Sequence, residues 1–535
     1  MQRLGLLLAQ ACLLVSALAA CASCRRIAIV GAGAAGSAAA YFAQEELLAR
    51  GEPPAEIHVF ERSDRVGGRA HVGTVEHNNV TLHFEQGASM FISKNRHLME
   101  MARRFNLTLC EHPCTFATGL RSGAARSLEA SLGGYGIWDP KGAEGRGEWI
   151  VGPGGRWRVL DIAKALWRYR GTGDLNHVRK RTTAAVDEFL QSYDEFANRS
   201  RGIYTTWDEY LADKPILQSS LYYRAYEYYL STGEGVRRRF LEEVVSLATR
   251  VNYMQDIDTV NTLGAHISMA AESDTAYSVA GGNYQIFEHM LASSKARLNL
   301  RTVVTDIQRS NATAGRYVLS VQSDGSSFED EFDTVIVATP LPLANLTILD
   351  NKHRDAVATE YVHMYVTFAI GTLRADLFPK GRIPRLVVTP YHTTTPFNCL
   401  SILACLHPDG AGNGRQCRDG PVLTKIFSHQ PVDLEQIFET VNWQHQQEWH
   451  SYPKLSPLNA GYVDEDPKST AFYPQRSSPP PIVLDRFGND DMVELAAAAA
   501  RPGVFYVNGM ESLFSTMESQ TVAARHVVRL ALFGS

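Results

Sequence analysis

The first regular pattern along the chain is a short apolar run, 26–30, with the β-branched residues of a fully buried strand in a parallel sheet. The glycine pattern 31–36 (Gly-Ala-Gly-Ala-Ala-Gly) follows at once, and residues 37–48 are good helix formers. A second strand pattern, 56–60, ends at Glu61. Strand, glycine turn, helix, strand and acid in this order predict a βαβ unit that binds an adenine dinucleotide.

The residues of the glycine turn have separate geometric roles. Gly31 permits the tight turn, Gly33 lets the backbone approach a pyrophosphate, and Gly36 lets the helix lie close on the strand. The N–H groups that open the helix, at Ala34 and Ala35, then face the phosphates. We therefore expect all of these residues to contact the cofactor.

The acid after the second strand, Glu61, is placed to accept a hydrogen bond from a ribose hydroxyl. Its distance from the glycines exceeds the usual ~20 residues, and a surface loop over 50–54 accounts for the excess. Arg62 follows, and then the run Gly67-Gly68-Arg69. This segment resembles flavoprotein oxidases of the amine oxidase and phytoene desaturase superfamily, in which it lies along the FAD pyrophosphate. The resemblance implies FAD rather than NAD as the cofactor.

Helical periodicity dominates residues 157–230, where apolar and aromatic positions recur at intervals of three and four. The clearest runs are 160–169, 184–196 and 219–230. One interpretation is ordinary helix packing. The other is a helical cap over a substrate tunnel, because aromatic side chains suit a long apolar ligand.

Strand patterns follow the helical region. Three of them predict a small sheet, over 298–304, 317–322 and 328–332, and the run 333–340 predicts another buried strand. Near the carboxyl end, 504–508 predicts a last strand before a helix. The superfamily resemblance implies that the strand over 333–340 rejoins the nucleotide sheet and that the N-terminus of the last helix faces the flavin, where it would stabilise an anionic reduced form. The superfamily resemblance implies further FAD contacts outside the first motif, at Gly87, Ala88, Ser89, Val304, Gly509, Glu511 and Met517.

These patterns predict an α/β fold: an FAD-binding Rossmann-type (GxGxxG) domain of the amine oxidase-like superfamily with an inserted α+β substrate domain. FAD binding is assembled from both ends of the chain. The predicted division is a signal peptide over 1–22, the first part of the FAD-binding domain over 25–110, a mostly helical substrate or cap region over 111–275, a small sheet and return to the FAD domain over 276–345, the second part of the substrate domain over 346–480, and the C-terminal part of the FAD-binding domain over 481–535.

Composition narrows the partners and the compartment. The chain has 535 residues, 45% of them hydrophobic, and a formal net charge of -5, so it can form several large cores and lacks the basic balance typical of nucleic-acid binding. Residues 1–22 show a short basic start, an apolar core and small residues at 17–19, which predict a secretory signal peptide rather than an uncleaved anchor. No other run reaches the ~20 apolar residues that span a bilayer, and peripheral membrane contact stays open.

Glycosylation and cysteine patterns agree with entry into the secretory pathway, with the lysosome, a vacuole or the exterior as the destination. N-glycosylation sequons occur at Asn79, Asn106, Asn198, Asn311 and Asn345. Cys110 and Cys114 are close enough to pair locally, and a later cluster holds Cys399, Cys405 and Cys417. Disulfides are expected, with their connectivity open. No Cys/His spacing predicts a metal site.

A narrower resemblance runs across nearly the whole chain after the signal. Its segments are 249–255 (Thr-Arg-Val-Asn-Tyr-Met-Gln), 279–283, 335–341, 425–428 (Lys-Ile-Phe-Ser), 449–453 and 506–511. Together they resemble prenylcysteine oxidases. The region 380–420 departs from the pattern of that family, so the resemblance implies no site residue within it.

The family resemblance implies an FAD-dependent thioether oxidase that uses O2. It would cleave S-farnesyl- or S-geranylgeranyl-cysteine, left by degraded prenylated proteins, to cysteine, an isoprenoid aldehyde and H2O2. The flavin takes hydride from the isoprenoid C1, and water adds to the resulting thiocarbenium to give a hemithioacetal that collapses. The protein positions C1 and excludes bulk solvent, and no strong side-chain base is required.

The resemblance also implies roles for residues that do not bind FAD, and each of these residues has a structural interpretation as well. Lys425 would lie by flavin N5 or assist O2 reduction, as a lysine does in related amine oxidases, or it would sit at a strand edge in solvent. Asn252, Tyr253 and Gly282 are candidate substrate contacts, and His83 is a candidate near the ring or the amino-acid end of the substrate. Each could equally be a structural group.

Two other functions are compatible with these sequence patterns. A polyamine or amino-acid oxidase on the same fold would act on an amine and carry an aromatic pair at the flavin face. A non-catalytic secreted flavin-binding protein would keep the cofactor without turnover. A yellow purified protein would show that the chain binds FAD and does not merely keep the fold. Peroxide formation would show that the bound FAD also turns over.

Overall fold

The computed structural model describes most of the chain after its amino-terminal segment. The described residues are 25–111, 116–118, 126–127, 135–140, 148–151, 158–198, 203–231, 235–351, 359–378, 383–391, 395–406, 420–458, 481–486 and 502–534. The predicted signal peptide, Cys114 and Cys417 lie outside them. Within them, no helix is long and apolar enough to cross a membrane, and no cluster of His, Cys, Asp and Glu could hold a metal ion.

The strands are short except for two long ones near the middle of the second half. In chain order they are β1 (Arg26–Val30), β2 (Glu56–Phe60), β3 (Val72–His77), β4 (Val80–Glu85), β5 (Phe91–Ile92), β6 (Leu109–Glu111), β7 (Phe116–Thr118), β8 (Arg126–Ser127), β9 (Tyr135–Asp139), β10 (Glu148–Val151), β11 (Ala276–Val279), β12 (Arg297–Asn299), β13 (Thr302–Arg309), β14 (Tyr317–Ser323), β15 (Ser326–Phe332), β16 (Thr334–Val337), β17 (Thr347–Ile348), β18 (Tyr361–Leu373), β19 (Leu386–Val388), β20 (Cys399–Cys405), β21 (Val422–Ser428), β22 (Phe438–Pro453), β23 (Val483–Arg486) and β24 (Gly503–Tyr506).

Most helices lie between β10 and β11. In chain order they are α1 (Ala34–Ala49), α2 (Arg96–Arg104), α3 (Arg158–Arg168), α4 (Gly173–Ala197), α5 (Trp207–Ala212), α6 (Pro215–Tyr222), α7 (Ala225–Ser231), α8 (Arg238–Phe240), α9 (Ser246–Tyr253), α10 (Thr262–Ser273), α11 (Tyr284–Ser294) and α12 (Met517–Phe533). A π-helical turn, Leu241–Val245, joins α8 to α9.

A six-stranded sheet in the order β12-β2-β1-β16-β24-β23 forms the Rossmann-like part. All of its pairs are parallel except β23 with β24. Helices α1 and α12 pack together on one face, where their apolar side chains share a core. The sheet therefore takes strands from the amino-terminal, central and carboxyl-terminal parts of the chain, and the predicted α/β class and Rossmann-type domain are confirmed.

The other face of this sheet packs on a smaller one, β15-β14-β13-β17. The sequence predicted one strand over 298–304, and this is wrong. The chain turns after Asn299, with Arg301 at a φ of 52°, so β12 joins the Rossmann-like sheet and only β13 joins the small one. The predicted return strand is β16, which pairs with β1.

The inserted region combines sheets with a helical layer. Its main sheet has seven strands in the order β10-β9-β19-β20-β21-β18-β22. The region 111–275, predicted to be mostly helical, contributes β9 and β10 to that sheet before its helices begin at Arg158. Helices α4 and α10 pack together, and the space between these helices, the seven-stranded sheet and the end of β4 is the site described next.

Candidate active site

The glycine turn after β1 forms an open cradle at the N-terminus of α1. A Cβ on Gly36 would lie 1.8 Å from the Gly31 oxygen, so only glycine lets α1 approach the turn this closely. A Cβ on Gly33, in contrast, would have Gly68 Cα as its nearest neighbour at 3.8 Å. No side chain caps α1 and no acidic residue lies in its first turn. The N–H groups at Ala34 and Ala35 are thus oriented for an anionic ligand.

Glu61 fixes the turn from the end of β2. One carboxylate oxygen accepts a hydrogen bond from Ala32 N at 2.8 Å, and the other accepts from Ser63 N at 2.9 Å and Ser63 Oγ at 2.8 Å. Arg62 beside it is exposed. Val304 lies buried in the core between the two sheets. That Glu61, Arg62 and Val304 contact the cofactor stays a prediction.

The double-glycine segment lies directly against the glycine turn. Gly67 N donates to Ala32 O at 2.9 Å, and Gly67 and Gly68 have φ values of 107° and 56°. Arg69, which follows, donates to Ser451 O at 2.8 Å and forms an ion pair with Glu511. The segment therefore connects the nucleotide cradle to the carboxyl-terminal part of the chain.

Glu511 is fully used by protein donors. Besides Arg69, it accepts from Ser515 Oγ at 2.9 Å, Asn508 Nδ2 at 3.1 Å and Tyr361 OH at 3.2 Å. Burial alone would raise the pKa of Glu511, but the charge of Arg69 and the hydrogen bonds keep that pKa below its ordinary value. Glu511 thus acts on the cofactor region by holding Arg69.

Gly509 and Met517 lie on either side of the turn into α12. Gly509 is buried in a 3₁₀ turn, Asn508–Ser512. The helix begins with a capping box, in which Ser519 N donates to Thr516 Oγ1 at 2.9 Å and Thr516 N donates to Ser519 Oγ at 3.1 Å. Met517, the first residue of the helix, lines the central cavity.

That cavity has a volume of about 570 Å³ and two unlike walls. The helical wall is mainly apolar, with Leu98, Val186, Phe189, Leu190, Ile267 and Phe514, and Tyr193 and Glu518 add polar groups at its edge. The wall formed by the seven-stranded sheet also carries polar groups, with Arg385, Cys399, Ser401 and Lys425. Gly87, Ala88 and Ser89 line the space between these walls and the Rossmann-like part. The arrangement suits an elongated ligand with an apolar body and a polar end.

Lys425 lies inside the protein rather than at a strand edge in solvent. It belongs to β21, which is flanked by β20 and β18, and it is 7% exposed. Its Nζ donates to Glu85 O at 3.1 Å and lies 5.1 Å from the centre of the Phe427 ring. Burial lowers the pKa of Lys425 to about 8, against the opposing effect of Glu85 and Cys399.

Comparison with known families identifies the chain. The model of the prenylcysteine lyase family matches residues 154–462. The chain belongs to the prenylcysteine lyase family. A separate model, for an NAD(P)-binding Rossmann-like domain, matches residues 29–105, which include the glycine cradle and Glu61.

Named relatives agree with this assignment. Farnesylcysteine lyase of Arabidopsis thaliana is 26% identical over 525 residues, and prenylcysteine oxidase 1 of Homo sapiens is 24% identical over 531 residues. Each alignment covers 95% of this chain and 88% of the relative. The predicted family is confirmed.

Solved structures show the same fold at low sequence identity. A putrescine oxidase bound to putrescine superposes with a TM-score of 0.51 and 12% identity, covering 94% of this chain and 98% of that one. Cyclohexylamine oxidase from Brevibacterium oxydans superposes with a TM-score of 0.51 and 14% identity, covering 95% and 98%. These likenesses concern the fold alone.

Of the four predicted substrate-site residues, two line the cavity and two do not. Asn252 and Tyr253 line the cavity, and the Tyr253 ring meets the Tyr452 ring edge-on at 5.6 Å. His83 and Gly282 are absent from the described lining. His83 lies on the face of β4 opposite Leu82 and Phe84, and a Cβ on Gly282 would meet Val72 at 2.3 Å. Their positions give no support to a substrate role.

Sequence reasoning found Lys425 but missed Glu85 and the other residues of the sheet wall, Arg385, Cys399 and Ser401. Glu85 is the last residue of β4, just before the glycine turn that was singled out. Its position there was a usable signal. Among the three cysteines that the structure describes, Cys399 is buried and unpaired, whereas Cys110 and Cys405 are disulfide-bonded.

Proposed function

We propose that this protein is an FAD-dependent oxidase that cleaves the thioether of prenylcysteines. S-farnesyl- or S-geranylgeranyl-cysteine, O2 and water would give cysteine, an isoprenoid aldehyde and H2O2. Family membership and the names of the relatives support the reaction class. The observation that carries the proposal for this chain is the cavity of about 570 Å³ that combines an apolar helical wall with a polar sheet wall.

FAD fits the residues present. Its pyrophosphate would lie beside Gly33 and Gly68, which pack so closely that a Cβ on Gly68 would be 3.2 Å from Gly33 Cα. It would face the uncapped N-terminus of α1. Glu61 would accept from the ribose, as its place after β2 requires. The ring would approach Gly87 and Met517, because both line the cavity that the substrate would enter. When bound, FAD supplies a two-electron acceptor that O2 can regenerate.

The helical wall would hold the isoprenoid. Val186, Phe189 and Leu190 of α4 line the cavity beside Ile267 and Ala270 of α10. Among the described side chains of these two helices, no charged group lines the cavity. Burying an isoprenoid chain there contributes ~25 cal/mol for each Å² of apolar surface. The cysteine end, with its ammonium and carboxylate, would face the sheet wall, where Lys425 and Arg385 offer positive charge.

This orientation brings the reacting C–S bond to the junction of the two walls. Gly87, Ala88 and Ser89 line that junction, and Lys425 lies above Gly87 with its Nζ 3.5 Å from Gly87 O. The buried surroundings exclude bulk water, which protects a cationic carbon from uncontrolled attack. The chain thus binds, orients and shields the group that is oxidised.

The test is a substrate comparison with the purified protein. H2O2, free thiol and the flavin spectrum are recorded with S-farnesylcysteine, spermine and leucine. We expect a yellow protein that forms peroxide and thiol from S-farnesylcysteine alone. Peroxide from spermine or leucine would instead identify an amine oxidase, the activity class named for the fold neighbours. A yellow protein without turnover on all three would identify a flavin-binding protein and overturn the proposal.

We also propose that the protein acts in the secretory pathway, with the lysosome, a vacuole or the exterior as its destination. The five sequon asparagines support this, because all lie exposed on the described surface: Asn79, Asn106, Asn198, Asn311 and Asn345. The disulfide bonds at Cys110 and Cys405 are typical of an oxidising compartment.

A further inference from the structure

A carboxylate at the end of β4 has an oxygen that no described residue uses. Glu85 is 9% exposed and lines the cavity. Its Oε1 accepts a hydrogen bond from Asn283 N at 2.6 Å, which fixes the carboxylate plane. Its Oε2 is buried and finds no hydrogen-bond partner among the described residues. A buried, unpaired carboxylate oxygen is costly, so its retention beside a cavity points to a ligand or a reacting group.

The neighbouring charges leave this oxygen free for a proton. Lys425 donates to the backbone oxygen of Glu85 rather than to its carboxylate. Tyr284 is the other titratable neighbour. Burial raises the pKa of Glu85 to about 7, although Asn283 N and Lys425 act in the opposite direction. The group therefore both takes up and releases a proton near neutral pH.

The proposed reaction needs a group of this kind after C1 has lost a hydride. The carbon is then bonded to a positively charged sulfur through a C=S⁺ bond. Water forms a C–O bond to this carbon while the π electrons return to sulfur, and the added oxygen must lose a proton. The C–S bond of the hemithioacetal then breaks as the hydroxyl becomes a carbonyl, and sulfur must gain a proton. Two protons leave oxygen and one reaches sulfur.

We propose that Glu85 Oε2 is the general base that takes the proton from the attacking water and the acid that returns it to the departing sulfur. This role rests on the proposed function. The net proton released by hydrolysis equals the one consumed when the reduced cofactor passes two electrons to O2 and gives H2O2. Once it has given that proton to sulfur, the ionised Glu85 accepts the second proton, from the hydroxyl that becomes the carbonyl, so hydrolysis of the C–S bond needs no second base. The oxidation step itself does not depend on Glu85.

The test separates the two chemical stages in a single anaerobic turnover. Glu85→Gln keeps the size of the side chain and the acceptor for Asn283 N, but it cannot take a proton. With S-farnesylcysteine, we expect bleaching of the yellow cofactor within about threefold of the wild-type rate, and release of free thiol slowed about 10²-fold. In the wild type, thiol release is expected to rise with pH through about 7, and this dependence is expected to vanish in the variant.

Glu46→Gln is the matched control. Glu46 is also a buried glutamate with one unpartnered oxygen, but it lies on α1, pairs with Arg525 and is outside the described cavity lining. Both rates are expected to stay at wild-type values in this variant. Glu85→Asp, which keeps a carboxylate on a shorter side chain, is expected to restore part of the thiol release and its pH dependence. It also serves if Glu85→Gln does not fold.

A measurement without turnover accompanies the kinetics. Infrared difference spectra between acidic and neutral pH are expected to show a protonated carboxyl signal in the cofactor-free wild type that is reduced in Glu85→Gln and retained in Glu46→Gln. Equal slowing of bleaching and thiol release, or no slowing of either, would overturn the role of Glu85. If the wild type itself does not bleach with S-farnesylcysteine, the proposed function fails instead, so the two failures are distinguishable.

Discussion

Arg69 and Glu511 form an ion pair across 442 positions of sequence. The first follows the double glycine of the nucleotide site, and the second precedes α12. Glu511 is 1% exposed and also receives hydrogen bonds from Tyr361, Asn508 and Ser515. The pair therefore connects the amino-terminal and carboxyl-terminal parts of the Rossmann-like region, at the junction between the cofactor cradle and the substrate cavity.

Removing the negative charge of Glu511 is expected to destabilise the protein. Glu511→Gln leaves the Arg69 guanidinium without its counter-ion, and breaking a buried pair in this way costs ~3 kcal/mol. Because the pKa of Glu511 is held below its ordinary value, the pair contributes stability above about pH 4.5 and loses it as the pH falls further. Thermal unfolding from pH 3 to pH 8 checks this: the Tm difference from wild type is expected to shrink at the acidic end. A constant difference across the range would contradict it.

The glycine cradle allows a paired test of fold against binding. Gly36→Ala places a Cβ 1.8 Å from Gly31 O, so we expect a loss of ~3 kcal/mol or failure to fold. Gly33→Ala adds a methyl group whose nearest neighbour, Gly68 Cα at 3.8 Å, is at an ordinary van der Waals distance. The fold is therefore expected to remain while FAD affinity falls about tenfold or more. Tm and flavin content are measured on both variants. Normal flavin content in Gly33→Ala would show that the pyrophosphate does not pass this residue.

Glu61→Ala is expected to weaken FAD retention. The change removes the ribose acceptor and also releases Ala32 N and Ser63 N from their hydrogen bonds. Flavin content after gel filtration, together with FAD affinity of the reconstituted protein, measures the effect. Glu52→Ala on the preceding surface loop is the control. Full flavin content and unchanged affinity in Glu61→Ala would mean that Glu61 does not hold the nucleotide.

Lys425→Met separates stability from turnover. Burial depresses the lysine pKa to about 8, so the folded state disfavours the charged form, and an apolar replacement is expected to leave Tm unchanged or higher. The gain is expected to narrow as the pH rises from about 8 to 10.5, because the folded-state lysine is then neutral while the unfolded-state lysine still loses its proton, and to be smallest above 10.5, where both are neutral. Turnover with O2 is expected to fall about 10²-fold. Unchanged turnover would make the lysine a structural group.

The helical wall offers a test of chain-length preference. Val186 of α4 is 6% exposed and lines the cavity, so Val186→Phe shortens the apolar space. We expect kcat/KM for S-geranylgeranylcysteine to fall about tenfold more than that for S-farnesylcysteine. Val303→Phe, on the exposed face of β13, is the control. Equal losses for both substrates would place the isoprenoid elsewhere in the cavity.

The Rossmann-type unit was predictable from sequence because its signals are local. The first strand, the glycines and the acid after β2 occupy a short stretch, and each has a fixed geometric role. The predicted strand over 298–304 failed for an equally local reason, a positive φ at Arg301 that divides it. That conformation is uncommon for arginine, and the apolar pattern does not reveal it.

The cavity depends instead on contacts between distant segments. Lys425 has an ordinary strand environment in sequence, and its burial follows from β20 and β18 on either side. Its hydrogen bond to Glu85 O joins residues 340 positions apart. No periodicity around either residue indicates that partner, so the sheet wall of the cavity emerges only from the fold.

The late position of β24 in the chain has a consequence for the order in which the Rossmann-like part is completed. This strand pairs with β16 in the Rossmann-like sheet, and α12 packs on α1. At ~5–20 residues per second, a ribosome delivers these last elements tens of seconds after β1 and α1 have emerged. The cofactor cradle must wait through that interval with one side of its sheet uncovered. Loading of the cofactor would therefore follow the synthesis of β24 and α12.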